Sequence, residues 1–187
     1  GIQLWLDCQD LTTLVLSGNS LTQWNDKSGL GRNATKFGTS STNATYNPTG
    51  FNNLPAIQIN IGQELSAPMP SGTIVTGISI FVIFQKNGAV NPYEALVTRT
   101  YNNIPAPIDV YNNARYQGNG NNFVSGTSSF NIQTATGLNL FSFTVTSNLW
   151  DEYVNGLSVF NANITSFFVD NTNAIYIGTR MSNTTHF

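Results

Sequence analysis

Carboxylates are the first residues in this chain that could do chemistry, because two of them flanking a glycosidic bond can hydrolyse it. On a strand such a pair needs even spacing, so that both side chains reach one face. No two acidic residues stand at i, i+2, and the adjacent Asp151 and Glu152 would point to opposite faces; the nine are Asp7, Asp10, Asp26, Glu64, Glu94, Asp109, Asp151, Glu152 and Asp170. We therefore expect no catalytic carboxylate pair.

Nucleophilic and thiolate chemistry has equally little support. His186 is the single histidine and stands next to the last residue, and no serine elbow motif accompanies it. Cys8 is the single cysteine, so neither an intrachain disulfide nor a thiolate metal site can form. Its setting, "LWLDCQD", is apolar and predicts an inert buried thiol. The chain is expected not to be an enzyme.

The stretch "LTQWNDKSGLGRNATKF" at residues 21–37 combines a lysine with two nearby glycines, as a phosphate-binding loop does. A true phosphate loop places its glycines between a strand and a helix, with the lysine entering that helix. Here Lys27 precedes the glycines and no helical pattern follows, so we interpret the stretch as a structural turn. Asp26 is expected to accept backbone N–H groups two or three residues on, with positive φ at Gly29 and Gly31.

Composition narrows the class of protein. In 187 residues, 40% are hydrophobic and only 9% are charged, which favours one globular domain over a disordered chain. Seven scattered Lys and Arg residues cannot neutralise a nucleic-acid backbone, so no nucleic-acid partner is expected. The longest apolar run, "ISIFVIF", is too short to cross a membrane and predicts a strand instead of membrane insertion.

Period-two patterns predict an all-β, two-sheet antiparallel β-sandwich of the jelly-roll type. The pair Asn155-Gly156 predicts a hairpin between two strands, and Asp10 is the expected cap of a single helical turn. Turns are expected at residues 47–50 and 118–122. The predicted strands include "IQLWLD", "LPAIQIN", "GISIFVIFQK", "EALVTRT", "APIDVYN", "NNFVSG", "LNLFSFTVTS" and "NAIYIGT", and the residues expected to be largely buried are Trp5, Trp24, Phe81, Phe141 and Phe143.

The N-terminal third carries a family resemblance. "LWLDCQDLTTLVLSGNSLTQWNDKSGLGRNAT", followed by "GFNNLPAIQIN", resembles the opening of laminin-G-like domains of the concanavalin A-like lectin/glucanase superfamily. "FSFTVTSNLWDEYVNGLSVF" and "AIYIGTR" resemble later strands of the same family, whereas the middle of the chain matches only in strand pattern. The resemblance implies a concanavalin A-like jelly roll. The family's closing strand is missing after "SNTTHF", so we expect residues 1–187 to be one domain from a longer chain, or a domain completed by a partner.

A glycan or cell-surface polysaccharide is the expected partner, because flat aromatic rings stack on sugars and planar amides bond their hydroxyls. Such residues concentrate between residues 109 and 123 and beside the predicted hairpin, and the candidate carbohydrate-binding set is Tyr111, Asn112, Asn113, Arg115, Tyr116, Asn121 and Trp150. The alternative is a structural component of a virion or other surface assembly, which only packs against neighbouring protein chains. Either role places the chain outside the cell or on a virion surface.

Two further expectations concern ions and modification. No cofactor is expected. If an ion is bound, calcium is the candidate, because it prefers oxygen donors, and Asp109 is a weak candidate ligand for it. Four sequons fit the N-x-Ser/Thr rule and are candidates for glycosylation, at Asn33, Asn43, Asn163 and Asn183.

Overall fold

The structure of the protein is a computed structural model. The described residues are 1–37, 42–60, 63–69, 73–74, 77–86, 95–98, 109–111, 114–119, 122–127, 137–146, 149–163, 169–170 and 174–178. The backbone alone is described at 73–74, 95, 98, 169–170 and in the strands between 109 and 127.

The elements are short and almost all are strands. A 3-10 helix spans Leu11–Thr13, and the strands in chain order are β1 Leu14–Ser17, β2 Ser20–Trp24, β3 Ala34–Phe37, β4 Thr45–Phe51, β5 Leu54–Gln58, β6 Glu64–Pro68, β7 Thr73–Ile74, β8 Ile78–Gln85, β9 Ala95–Thr98, β10 Asp109–Tyr111, β11 Ala114–Asn119, β12 Asn122–Thr127, β13 Leu138–Val145, β14 Leu149–Val154, β15 Leu157–Asn163, β16 Val169–Asp170 and β17 Ala174–Ile177. No α-helix occurs in the described residues, and none of their helical segments is long and apolar enough to span a membrane.

Two antiparallel sheets form the β-sandwich that the sequence predicts. The large sheet has the order β12-β11-β10-β9-β17-β6-β3-β2-β4-β5, with β1 paired to β2. The small sheet has the order β15-β14-β13-β8, and β16 pairs separately with β7. Six strand pairs join strands that follow each other closely in the chain, namely β1–β2, β4–β5, β10–β11, β11–β12, β13–β14 and β14–β15. Strands distant in sequence pair in β8–β13, β6–β17, β9–β17 and β3–β6, and these pairs close the fold over longer range.

The core fills the space between the sheets. One buried cluster belongs to the small sheet and contains Phe141, Phe143, Val145, Trp150 and Val154. A second belongs to the large sheet and contains Leu21, Ala34, Ala44, Leu65, Ala67, Val97 and Ile175. Ile80 of β8 and Leu96 of β9 pack against both clusters, which joins the two sheets through one apolar layer.

Two hairpin turns are set by residues with positive φ. Asn155 and Gly156 have φ of 52° and 81°, as the predicted type I′ turn requires, and they connect β14 to β15. Asn52 and Asn53 have φ of 47° and 63° and connect β4 to β5. The residues expected to form a turn, 47–50, lie within β4 instead, where the pairing with β5 shifts between Asn47 and Phe51. The chain reverses only after Phe51.

Three expectations about the N-terminus and the core are wrong. "IQLWLD" forms no strand, although Leu4 and Leu6 pack against the large-sheet cluster. Trp5 lies between these two inward side chains and is therefore exposed. Phe81 is 71% exposed, because β8 is apolar on both faces and its outward positions include this residue. Phe141 and Phe143 are buried as expected, and Trp24 is half-buried.

The contrast between two phenylalanines on neighbouring strands of the small sheet is testable. Phe143→Ala should lower the free energy of unfolding by about 4 kcal/mol, because it leaves a cavity in the closed core. Phe81→Ala, the matched control, should change it by less than about 0.5 kcal/mol, since its ring contacts water. Urea unfolding of both variants measures the difference, and equal losses would mean that the assigned faces are wrong.

Candidate functional site

The predicted sugar-binding segment lies at one end of the large sheet. Strands β10, β11 and β12 follow β9 in that order, and the described sheet ends at β12. Asn112, Asn113 and Asn121 lie outside the described residues. Only the backbone is described for Tyr111, Arg115 and Tyr116, so the chemistry of their side chains stays a prediction.

Strand register brings the two tyrosine positions together. Tyr111 is paired with Ala114, and Tyr116 stands two residues further along the same strand. The tyrosines therefore occupy diagonal positions on one face of neighbouring strands, a spacing that aromatic side chains can bridge. Arg115 occupies the opposite face by strand alternation. The predicted set thus divides between two faces, with both tyrosines on the same one.

This tyrosine face lies on the side of the sheet away from the core. Asp109 is paired with both Tyr116 and Thr98. Tyr111 is paired with Ala95, and the register shifts between these two pairs; Leu96 and Val97, which lie between Ala95 and Thr98, both pack against the core. The positions on either side of this irregularity, Ala95 and Thr98, are therefore on the side away from the core. The positions of Asp109, Tyr111 and Tyr116 are therefore on the outer face of the large sheet.

Trp150 does not belong to this set. Its indole is completely buried in β14 and makes edge-to-face contacts with Phe143 and Phe160, at centroid distances of 5.6 and 5.1 Å. The indole N–H has no acceptor among the described residues. A ring enclosed on all sides cannot stack on a sugar, so the prediction of Trp150 as a binding residue is wrong and its role is in the core.

Calcium binding at Asp109 stays a prediction. Among the described residues, no group of three or more His, Cys, Asp or Glu side chains stands close enough to hold a metal ion. The side chain of Asp109 is itself outside what the structure describes.

Asp26 is the most highly connected carboxylate for which contacts are described. Its Oδ1 accepts the backbone N–H of Ser28 at 2.8 Å and that of Trp5 at 2.9 Å. Its Oδ2 accepts the Ser28 hydroxyl at 2.6 Å and the backbone N–H of Arg32 at 3.1 Å. The turn bond to Ser28 is the predicted one. The bond to Trp5, 21 residues away, is one that local turn chemistry does not indicate.

The glycines and Asn33 complete the Asp26 turn. Gly29 and Gly31 have φ of 86° and 68°, which lets the chain wrap around the carboxylate without strain. The backbone N–H of Asp26 in turn donates to Oδ1 of Asn33 at 2.9 Å. The turn therefore encloses both the backbone and the side chain of Asp26, and its glycines serve this geometry instead of a phosphate.

Lys27 binds the N-terminal segment to the same turn. Its ammonium contacts Asp7 at 3.0 Å and Asp10 at 2.8 Å, and lies 4.7 Å above the ring of Trp5. The hydrogen bond that Lys27 donates to Asp10 lowers the pKa of that carboxyl to about 2. The pKa of Lys27 is raised because Asp10 and Asp7 accept hydrogen bonds from its ammonium. Burial raises the pKa of Asp26, but hydrogen bonds from Ser28, Trp5 and Arg32 leave it lowered overall.

The acidic side chains with described contacts bind other groups of the same chain. Asp7 and Asp10 bind Lys27, Asp26 binds backbone groups, and Asp151 accepts from the Asn161 amide at 2.6 Å. Glu152 is completely buried and faces the core from β14. Cys8 is half-buried with its thiol 3.3 Å from the Pro55 carbonyl, and burial raises its pKa. A thiol held this way is a poor nucleophile.

The sequons differ in their surroundings. Oδ1 of Asn33 is engaged by the Asp26 backbone, and the Asn43 amide donates to the Ser20 hydroxyl at 3.1 Å. Asn163 is exposed at the end of β15, and Asn183 lies outside the described residues. Glycosylation of any of them stays a prediction.

A second surface, which the sequence analysis missed, covers the outer side of the small sheet. We call it the apolar face and define it by Phe81, Ile83, Leu138, Leu140 and Tyr153, all of them exposed. The register places Leu140 opposite Ile83, and Ser142 between Phe81 and Tyr153. The unbroken apolar run in β8 is the signal that could have found it, since a strand apolar on both faces in a two-layer fold must expose one of them.

Comparison with known proteins establishes the fold alone. No family model matches the chain, and no curated protein matches it by sequence. The binding domain of botulinum neurotoxin serotype D has a similar structure, with a TM-score of 0.58 at 13% identity, over 89% of this chain and 42% of that one. At such identities the likeness is one of architecture, a β-sandwich shared with these proteins.

Two further solved structures share the architecture. Domain 4 of AbnA, a GH43 extracellular arabinanase from Geobacillus stearothermophilus in complex with arabinotriose, has a TM-score of 0.56 at 15% identity, over 83% of this chain and 76% of that one. Botulinum neurotoxin type C, which depends on interaction with two ganglioside molecules for entering cells, has a TM-score of 0.52 at 15% identity, over 92% and 43%. The chain thus spans less than half of either neurotoxin chain.

Asp26→Ala should lower the free energy of unfolding by about 2 kcal/mol, because it removes an ionised acceptor from backbone groups of two segments. Asp26→Asn, which keeps one carbonyl oxygen, should cost roughly half as much. Urea unfolding measures both. Wild-type stability in Asp26→Ala would show that the turn does not depend on this carboxylate.

Acid should loosen the N-terminal segment. The pKa of Asp10 falls from 3.8 to about 2 on folding, so its contribution to stability is complete above the higher value and is lost as pH falls through the lower. The lowered pKa of Asp26 acts in the same direction. We expect the unfolding free energy to fall between pH 4 and pH 2, and to fall less steeply in Lys27→Gln. An identical pH profile in that variant would contradict the assignment.

Proposed function

We propose that this domain is a non-catalytic carbohydrate-binding module that acts outside the cell. The observation that carries the proposal is the strand register, which sets Tyr111 and Tyr116 at diagonal positions on the outer face of the large sheet. Two aromatic residues so placed suit a sugar ring, because stacking needs flat apolar surface at the solvent side of a rigid scaffold. Asn112, Asn113 and Asn121, which lie outside the described residues, are the predicted source of amides for hydroxyl groups.

The fold neighbours support the same class of ligand. Arabinotriose in the AbnA domain and gangliosides for neurotoxin type C both carry sugars. A β-sandwich can therefore hold glycan ligands in proteins of this architecture. The N-terminal resemblance to laminin-G-like domains independently supports placement in the concanavalin A-like superfamily. Function depends on the site and not on the fold, so the tyrosine face has to be tested directly.

No two acidic residues stand at i, i+2 in the sequence, which supports binding over hydrolysis. Glycoside hydrolysis needs two carboxylates facing each other across the substrate. Asp151 and Glu152 point to opposite faces of β14, one toward solvent and one into the core. The carboxylates of Asp7, Asp10 and Asp26 are engaged in holding the N-terminal segment.

A glycan array should identify a ligand, and Tyr111→Ala and Tyr116→Ala should each weaken binding of the soluble glycan by roughly tenfold, since one stacked ring contributes about 1 kcal/mol or more. Titration calorimetry with a monovalent glycan measures the loss. The matched control is Leu54→Ala, which truncates an exposed apolar side chain in β5, at the opposite end of the same sheet.

Three results would contradict the proposal. One is a silent array with a well-folded domain, and another is binding that both tyrosine variants retain. The third is release of reducing sugar from a polysaccharide that stops when an Asp or Glu is replaced, which would make the domain an enzyme.

A second candidate function is favoured by a different observation. The apolar face exposes aromatic and aliphatic side chains on the opposite side of the sandwich from the tyrosine face. Such a surface is typical of contacts between protein chains and supports a role as a structural component of a virion or other surface assembly.

A further inference from the structure

The apolar face is among the larger apolar patches that a single domain exposes. Phe81 and Ile83 are 71% and 69% exposed, and the side chains of Leu138, Leu140 and Tyr153 are each exposed by more than a third. Together the five offer roughly 500 Å² of apolar surface, near the upper end of the largest patch on a typical monomer. Two such faces in contact would remove about 1,000 Å² from water, which is the least that a specific interface buries.

Charge does not oppose a second copy as the partner. The whole chain has a net charge of −2, so two copies repel one another only weakly. On the outward positions of β8, β13 and β14, the one ionisable carboxylate is Asp151, at the edge of the patch and already bonded to Asn161. The remaining polar positions are the neutral Ser79, Gln85, Ser142 and Thr144.

The register of the small sheet is compatible with packing of the apolar face against its own copy. β13 has β8 on one side and β14 on the other. A two-fold axis along β13, lying between two facing sheets, would exchange these sides. Phe81 of one copy then lies opposite Tyr153 of the other, because both share the row of Ser142. Asp151 lies opposite the Ser79 hydroxyl, because both share the row of Thr144, and the two Asp151 carboxylates stay apart.

We infer that the apolar face is an interface between two copies of this chain, related by a two-fold axis along β13 with Phe81 against Tyr153 of the partner copy. The contact is isologous and therefore closes as a dimer. It stacks sheet on sheet, the same packing that joins the two sheets within each copy. The inference is independent of glycan binding, which uses the outer face of the other sheet.

Sedimentation equilibrium of the chain tests the interface. The wild type should be a reversible dimer, populated at about 100 μM because the contact is at the small end of specific interfaces. Phe81→Ser and Ile83→Ser should each raise the dimer dissociation constant by at least roughly tenfold, since each removes apolar burial from both copies. Leu54→Ser, which alters an exposed apolar residue of the large sheet, is the matched control and should leave the constant unchanged.

Exchange of charge across the axis tests the geometry. Phe81→Glu and Tyr153→Lys should each dissociate the dimer, and the double variant should recover most of the lost affinity, because each glutamate then meets a lysine of the other copy. Circular dichroism and urea unfolding confirm that the variants are folded, as expected for exposed positions. Any of three outcomes would overturn the inference. The wild type could stay a monomer at all concentrations up to about 1 mM, or form a dimer that Phe81→Ser and Ile83→Ser leave intact. The double variant could also bind its own copy no more tightly than the single variants do.

Discussion

The carboxylate of Asp26 is the constraint on which the N-terminal third of the fold depends. It accepts hydrogen bonds from its own turn and from the backbone of Trp5, so one side chain joins two segments that are distant in sequence. The backbone carbonyl of Trp5 is bound in return by the N–H of Lys27. An extended segment normally needs a neighbouring strand to satisfy its backbone, and here the Asp26 turn takes that place. Leu4 and Leu6 can then enter the core without a strand ladder of their own.

The same attachment explains why Trp5 is outside and Lys27 lies above it. Alternation along the extended segment sends Leu4 and Leu6 inward and leaves the indole facing solvent. Lys27 covers part of that ring and binds Asp7 and Asp10, and Asp10 is the N-cap of the 3-10 helix that leads into β1. A cluster with an aromatic ring, a lysine and three carboxylates resembles an active site in composition, and its described contacts hold the N-terminal segment in place.

The two surfaces for which a binding role is proposed lie on opposite sides of the sandwich. The tyrosine positions are on the outer face of the large sheet, and the apolar face is on the outer side of the small one. A dimer formed through the small sheets would leave both tyrosine faces pointing away from the contact. Two glycan sites on one rigid dimer would engage a polysaccharide or a cell surface with avidity, which raises effective affinity without any new contact. The binding and assembly roles are therefore compatible in one molecule.

The sequence by itself determined the fold class, most strands, the Asn155-Gly156 hairpin and the glycine-dependent turn, because alternation and positive φ are local properties. It could not determine which of two apolar faces is covered. Phe81 and Phe143 look alike in sequence, and only the packing of the second sheet buries one and exposes the other. Trp150 stands beside a hairpin like a surface residue, yet the opposing layer encloses it. The hydrogen bond from the Trp5 backbone to Asp26 could not be predicted from the sequence either, because it joins segments 21 residues apart. Burial and long-range pairing depend on how elements distant in sequence pack together, and only the tertiary structure determines that packing.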